Sequence, residues 1–378
     1  MTVTNLDRYE PIHSVSKKYL FGLIKYTRLT IDGFSYCFRA FGLPIVSRQF
    51  DRGLPVVHIL FFKFRLNSAQ RTQRLLKDIA RQGQYDNVFV LFNNLGETRL
   101  FLECFRSEIP CNSIFVYTKP YHRELLDMII PQVKSMFYPE YFSVHFQSDA
   151  KALYIKKSRV NLIGRICYFK EYEAAIQAQD VEEVPHFYRN YLDKVGRSIG
   201  YTVEPKTIMP IKVSKQERKR ALEKLDLLIG NNKFVIICNE TFSNINLKPT
   251  FYQELCRKLY ALGYKVLFNS TGINCSNSLG ITASMSIQEL VEIASRAEFV
   301  IGIRSGILDV LASNAKAIVA LYTPFRKRPG FDEISAEKVL VAFSLAKIDF
   351  YNKPLIREII VDDATLTDDV IKKMLQCE

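Results

Sequence analysis

Five short runs in this chain are apolar almost without interruption: Val88–Phe92, Ser113–Tyr117, Phe234–Cys238, Phe299–Ile303 and Ala317–Leu321. A strand that is apolar on both faces is stable only where helices cover both faces, which is the condition of a parallel sheet. Helical patterns fill the intervals. In the first half they are a polar helix over Ser68–Arg81, then Thr98–Phe105 and Arg123–Lys134. After Pro210, Ser214 and Glu217 form a capping-box pattern that opens a charged helix to about Ile229. Phe251–Leu262 follows, ended by Gly263, and then Ile287–Ala297, opened by Ser286 with Glu289 as its box partner. In the last, Ile287, Leu290, Val291 and Ala294 form one apolar stripe. A short helix over Ile307–Ser313 joins the last two strands. This strand–helix alternation predicts an α/β protein with doubly wound parallel sheets.

At 378 residues the chain has room for two such lobes in series. The expected organisation is a basic, β-rich appendage over 1–65, a first α/β lobe over 66–205, and a second α/β lobe over 206–350. A closing segment over 351–378 contains a helix at Thr365–Gln376. The appendage stands apart by its charge and by a weak repeat. Residues 1–65 hold ten Lys and Arg against four Asp and Glu, a net of +6 out of +13 for the whole chain. Tyr19-Leu-Phe-Gly-Leu-Ile-Lys25 is echoed by Phe38-Arg-Ala-Phe-Gly-Leu-Pro-Ile45 and more faintly by Val57-His-Ile-Leu-Phe-Phe-Lys63. Each copy reads as a strand followed by a turn. Two readings apply: a β appendage packed on the main body, or a basic-aromatic platform for an anionic membrane surface.

Eight cysteines without a C-x-x-C pair, several of them in apolar runs, fit reduced side chains in a cytoplasmic protein. Asp7, Arg8 and Glu10 do not fit a signal peptide, and the longest apolar run, Val56–Phe62, is far too short to span a bilayer. Location at the inner face of the cell membrane is compatible with both. Dinucleotide-binding, P-loop and nucleophile-elbow glycine patterns are all missing, as is any D-x-D pair, and the five histidines are scattered. No metal and no cofactor are expected. Nucleic acid is a poor partner for this charge, because no recognised binding motif accompanies it.

The remaining chemistry concentrates where strand Phe299–Ile303 runs through Arg304-Ser305-Gly306 into the next helix. A first helical turn offers unpaired N–H groups to an anion. There Gly306 would admit a phosphate closely, Ser305 would donate a hydroxyl and Arg304 would add charge. The plain alternative is that Ser305 caps the helix and Arg304 pairs with a core carboxylate.

The stretch Ile287-Gln-Glu-Leu-Val-Glu-Ile-Ala, then Ala297-Glu-Phe-Val-Ile-Gly-Ile-Arg-Ser-Gly306, then Ile318-Val-Ala-Leu-Tyr-Thr-Pro324, resembles the C-terminal lobe of GT-B glycosyltransferases. The resemblance is above all to the bacterial heptosyltransferase-like family (glycosyltransferase family 9). In the first half, Asn94-Leu-Gly-Glu-Thr98 is similar to that family's Gly-Asp loop, whose acidic residue faces the acceptor. The resemblance implies a GT-B fold of two Rossmann-like lobes. It also implies metal-independent transfer of a sugar from a nucleotide-sugar donor to a glycan or lipid-linked acceptor, as in capsule or lipopolysaccharide synthesis, with inversion. Glu97 would be the base, and Asn239, Thr241, Lys248, Arg304, Ser305, Gly306 and Asp309 would line the donor site. Arg326 and Arg328 are candidates for acceptor or phosphate contact. The chain departs from the pattern at Asp309, where the family has His, and at Arg304, where it has Asp. Lys248 lies in the loop that carries the family's phosphate-binding lysine, at a different spacing. A nucleotide-sugar epimerase of similar fold and a non-enzymatic basic surface-binding protein are the competing readings.

Overall fold

The computed structural model describes residues 14–19, 23–29, 36–41, 43–51, 54–59, 62–65, 85–91, 94–117, 119–137, 151–155, 158–163, 176–201, 206–239, 241, 244–269, 280–325, 333–361 and 372. Contacts within the chain group it into two compact units. One comprises Met1–Phe92, Pro110–Arg123 and Val133–Cys167, the other Asn93–Ile109, Glu124–Gln132 and Tyr168–Glu378.

The first unit contains two sheets. One is a six-stranded antiparallel meander, β1 (Ser14–Tyr19), β2 (Ile24–Leu29), β3 (Tyr36–Ala40), β4 (Leu43–Asp51), β5 (Leu54–Ile59) and β6 (Phe62–Arg65), each strand paired with the next. The expected β-rich character of this segment is present, but the repeat is placed differently. Its copies straddle the connections between strands: the first spans the end of β1 and the start of β2, the second the end of β3 and the start of β4. The other sheet has the order β10-β11-β7-β8-β9 and is built from β7 (Asn87–Leu91), β8 (Ser113–Tyr117), β9 (Lys134–Phe137), β10 (Lys151–Ile155) and β11 (Ser158–Ile163). Its pairs are parallel except β10 with β11. Strands β7 and β8 are buried, as their unbroken apolar sequence requires.

Two helices follow these strands in the chain, α1 (Leu95–Phe105) and α2 (Pro120–Ile129). α1 begins three residues before the expected start. α2 starts at Pro120, a residue suited to the first helical position, and stops at Ile129, so Lys134 belongs to β9 and not to a helix.

The second unit is organised on a six-stranded, fully parallel sheet: β12 (Phe234–Cys238), β13 (Lys265–Asn269), β14 (Ile281–Ala283), β15 (Phe299–Ile303), β16 (Ala317–Tyr322) and β17 (Leu355–Ile360). Its spatial order is β14-β13-β12-β15-β16-β17. Counted along the chain this is 3-2-1-4-5-6, so the direction of winding reverses between β12 and β15. The helices are α3 (Phe187–Ser198), α4 (Lys215–Leu228), α5 (Pro249–Ala261), α6 (Ile287–Ala294), α7 (Gly306–Leu311) and α8 (Ala336–Phe343).

Apolar periodicity explains the packing. Val235 and Ile237 alternate on one face of β12 and join one buried cluster with Phe251, Leu255 and Leu259, spaced every fourth residue along α5. Gly263, at φ +84°, ends α5 as expected, with the Tyr264 N–H donating back to Leu259 O at 3.0 Å. The α6 capping box is complete: Glu289 N–H donates to Ser286 Oγ at 3.1 Å and Ser286 N–H to Glu289 Oε2 at 2.9 Å. Glu124 adds a second carboxylate there, accepting from the N–H groups of Ile287 (2.6 Å) and Gln288 (3.3 Å). At α4 only half of the expected box forms. Ser214 Oγ accepts from Glu217 N–H, while the Glu217 carboxylate takes Arg220.

The structure is thus of the α/β class read from the sequence. The expected helix over 68–81 lies outside the described residues, and that over 365–376 does so except for Lys372. Among the described residues, no helix is long and apolar enough to cross a membrane, and no group of three or more His, Cys, Asp or Glu side chains could hold a metal ion.

Candidate functional site

In an open parallel sheet the crevice for ligands lies outside the carboxyl ends of the strands, at the point where the winding reverses. Here that point is flanked by the ends of β12 and β15. The register pairs Cys238 with Gly302, so Asn239 and the turn Arg304–Ser305 end neighbouring strands. Asn239 is 1% exposed, and neither its amide nitrogen nor its amide oxygen has a hydrogen-bond partner among the described residues. Across from it, the buried Ser305 Oγ also lacks a partner. Ser305 occupies the N-cap position of α7 but makes no side-chain cap bond. Buried polar atoms without partners are costly, and here such atoms flank the switch point, where folds of this kind take their ligands.

The loop that leaves β12 reaches Lys248, exposed at the N-cap of α5 and followed by Pro249. Lys248 therefore stands beside the first-turn N–H groups of a helix, which favour an anion. Between these points the loop is anchored. Thr241 Oγ1 donates to Asn244 Oδ1 (3.4 Å), Asn244 Nδ2 to Thr323 O (3.1 Å) and Thr323 Oγ1 to Ile245 O (2.8 Å). Thr241 therefore shapes the loop.

Arg304 is where the expectation of a charge presented to a ligand needs correcting. Its side chain is 3% exposed, and all five of its N–H groups are engaged within the protein. Nε donates to Phe343 O (2.7 Å); Nη1 to Ser305 O (2.9 Å) and Asp309 Oδ2 (3.0 Å); Nη2 to Asp309 Oδ1 (2.6 Å) and the Tyr188 hydroxyl (2.8 Å). Tyr188 closes the triangle by donating to Asp309 Oδ2 at 2.8 Å. Of the two roles open to Arg304 in the sequence, pairing with a core carboxylate is the one built, and that carboxylate is Asp309. Burial raises the Asp309 carboxyl above its ordinary value, while the bonds from Arg304 and Tyr188 pull it back. Burial also lifts the Tyr188 phenol well above 10. For Arg304 burial works against the charge, but Asp309 and Tyr188 outweigh it and keep the guanidinium firmly protonated.

Gly306 also differs from expectation. The space beside it, open to a phosphate in the sequence reading, is occupied by α1. A Cβ on Gly306 would lie 2.5 Å from Gly96 N, and a Cβ on Gly96 would run into the Asp309 carboxylate. The glycine of Asn94–Thr98 and that of Arg304–Gly306 therefore serve one close helix crossing. Glu97, next to Gly96, is 5% exposed, and its charge contributes to raising both Asp309 and Tyr188. So Glu97, Arg304, Gly306 and Asp309 are brought into one buried cluster. Arg326 and Arg328 lie outside the described residues.

Tyr188, Phe343, Tyr322 and Glu358 are additions that sequence reasoning misses. The Glu358 carboxylate on β17 accepts from the hydroxyls of Tyr322 (2.5 Å) and Ser344 (2.8 Å) and from Leu345 N–H (2.6 Å). His186 Nε2 lies 2.9 Å from Ser344 O. The turn after α8 is thus held by Arg304, Tyr322, His186 and Glu358, at the same end of the sheet as the crevice. Nothing in the linear sequence signals these partners, since each bond joins segments far apart in the chain.

The fold and these residues define a doubly wound α/β protein with unpartnered buried polar groups at its switch point. No family model matches the sequence, and no curated protein matches it. Among solved structures the chain is similar to a glycosyl transferase family 9 protein from Veillonella parvula (15% identity, 78% of this chain and 92% of that one, TM-score 0.45). It is also similar to the ADP-heptose lipopolysaccharide heptosyltransferase II of Escherichia coli (12% identity, 77% and 96%, TM-score 0.45). A third is an Escherichia coli heptosyltransferase with ADP (11% identity, 77% and 96%, TM-score 0.39).

Proposed function

We propose that this chain is a metal-independent, inverting glycosyltransferase of bacterial surface-glycan synthesis, moving a sugar from a nucleotide-sugar donor to a glycan or lipid-linked acceptor. The observation that carries the reading is the pair of unpartnered buried groups, the Asn239 amide and the Ser305 hydroxyl, on either side of the switch point. A nucleoside diphosphate would meet both, with the Lys248 ammonium within the same loop to balance its charge. Arg304 and Asp309 act one step removed, fixing the turn that presents Ser305. Glu97 takes the proton of the acceptor hydroxyl. The freed oxygen attacks the anomeric carbon, the bond to the diphosphate breaks, and its electron pair leaves with the nucleotide. Residues 1–65, with their net charge of +6, rest on an anionic surface at the inner face of the membrane.

The test is a melting panel with ADP, UDP, GDP and CDP, since a ligand bound only by the folded state raises its melting temperature. One nucleotide should raise it by several degrees, and the matching sugar nucleotide should then be consumed only when an acceptor is supplied. Glu97→Gln should keep the melting shift and lose about 10²–10⁴ of the transfer rate. No shift with any nucleotide would remove the donor site. Epimerised sugar released without acceptor would replace the transferase with an epimerase. A folded Glu97→Gln that transfers at the normal rate would remove Glu97 as the base.

A further inference from the structure

The meander β1–β6 carries its sequence repeat at one end. From the strand bounds, the connections 20–23, 41–42 and 60–61 all fall on that end, and 30–35 and 52–53 fall on the other. The repeat therefore marks a series of tips. Four side chains at or beside these tips are large, apolar and exposed: Tyr19 (51%), Leu23 (50%), Phe41 (76%) and Ile59 (45%).

Phe41 is the most telling of them. It stands in the two-residue connection between Ala40 and Leu43, its N–H donates to Leu23 O at 2.7 Å, and its φ is +51°. Two-residue hairpin connections of this kind favour Asn or Gly, because a side chain with a positive φ is strained. An aromatic residue here bears that strain and gains no burial in return.

One ladder position behind the tips, the backbone register sets Lys18 opposite Lys25 and Lys25 opposite Arg39. Like charges at directly opposed positions weaken a sheet. An exposed aromatic tip and a row of opposed basic positions are two separate costs. A single partner relieves both: a bilayer surface with anionic headgroups, into which the tips dip while the cations meet lipid phosphates.

We infer that the tip end of the β1–β6 meander is a lipid-surface anchor, with Phe41 and its neighbours inserting at the headgroup boundary and the Lys18–Lys25–Arg39 row binding anionic lipid. This deepens the membrane part of the proposed function and rests on it, but not on the transferase chemistry.

The chain contains no tryptophan, so Phe41→Trp makes a single fluorescent reporter in the full chain. With vesicles containing phosphatidylglycerol, its emission should shift to the blue and be quenched by brominated lipid. With pure phosphatidylcholine, or with Tyr351→Trp as the reporter, neither change should occur. Phe41→Asn suits the positive φ and should melt no lower than the parent, yet bind anionic vesicles about tenfold more weakly. Lys25→Glu should weaken binding and flatten its dependence on salt.

Unshifted emission from the Phe41→Trp reporter on anionic vesicles, or undiminished affinity in Phe41→Asn, overturns the anchor. So does preferential binding of duplex DNA, or a vesicle-independent shift that tracks protein concentration and so reports a second copy of the chain. The nucleotide melting shift, read on the same preparation, separates failure of this anchor from failure of the donor site.

Discussion

Gly96 and Gly306 meet backbone to backbone, close enough that a Cβ on Gly306 would stand 2.5 Å from the amide nitrogen of Gly96. Two helices, α1 and α7, can approach this closely only because both crossing points lack a side chain. The obstacle is backbone on one side, so it cannot swing away. Gly306→Ala should therefore cost about 1–3 kcal/mol through overpacking. Gly96→Ala should cost at least as much, because its Cβ displaces the Asp309 carboxylate that Arg304 holds. Urea unfolding of the two variants checks this. Midpoints equal to the parent's would mean that the crossing is looser than described.

The Arg304–Asp309 fork offers a second test. Removing one partner strands the other's charge in a site with almost no solvent access, which typically costs about 3–5 kcal/mol. Replacing both with apolar residues removes the two stranded charges together. Arg304→Met and Asp309→Leu should each be strongly destabilising, and the double variant should be clearly milder than the sum of the two. Strict additivity in a double-mutant cycle would contradict the contact. Tyr188→Phe removes one donor to Asp309 and one acceptor for Arg304, and its effect should be smaller than that of either single charge deletion.

How far this was legible in the sequence depends on the range over which each feature is decided. β12, β15 and the body of β16 are continuous apolar runs, and their bounds follow from local composition; the start of α6 follows from its cap, though the helix ends at Ala294 and not at the expected Ala297. β17 escapes such a reading, because Arg357 and Glu358 interrupt its apolar pattern and Glu358 serves the turn after α8. β14 is only three residues long. In the site, the strand–turn–helix geometry of Phe299–Leu311 could be read directly. The destination of the Arg304 guanidinium could not, since Tyr188 and Phe343 reach it from more than thirty residues away along the chain. The repeat is visible as a repeat, but only strand pairing shows that it marks tips.

Asn239 allows function to be separated from stability. A buried side chain that holds up part of the fold destabilises the protein when truncated. The Asn239 side-chain amide, however, bonds to nothing among the described residues, so its removal relieves an unsatisfied group. Asn239→Ala should melt within a degree or two of the parent, or higher, while losing most of the nucleotide-induced shift. Lys248→Ala, at an exposed N-cap, should likewise leave the melting temperature nearly unchanged and weaken nucleotide binding. If Asn239→Ala melts far below the parent, the amide has a structural partner and the donor assignment loses its main support.

His186 predicts the pH dependence of stability. Its ring is half-buried, and its Nε2 faces the Ser344 carbonyl at 2.9 Å. A carbonyl only accepts, so the neutral ring with its proton on Nε2 already makes this bond. Burial lowers the His186 pKa below its ordinary 6.5; the nearby charges of Lys347 and Arg304 lower it further, against the opposing pull of Ser344 O and Glu358. Between the folded value and 6.5 the unfolded chain binds a proton that the folded chain does not. Stability therefore rises with pH across that window, is complete above it, and is lost as pH falls through the folded value. His186→Gln keeps a donor for Ser344 O and cannot titrate. Its melting temperature should match the parent's near pH 8 and fall less steeply than the parent's as the pH drops below about 6.5. Parallel melting curves across that range would show that His186 does not carry the acid sensitivity.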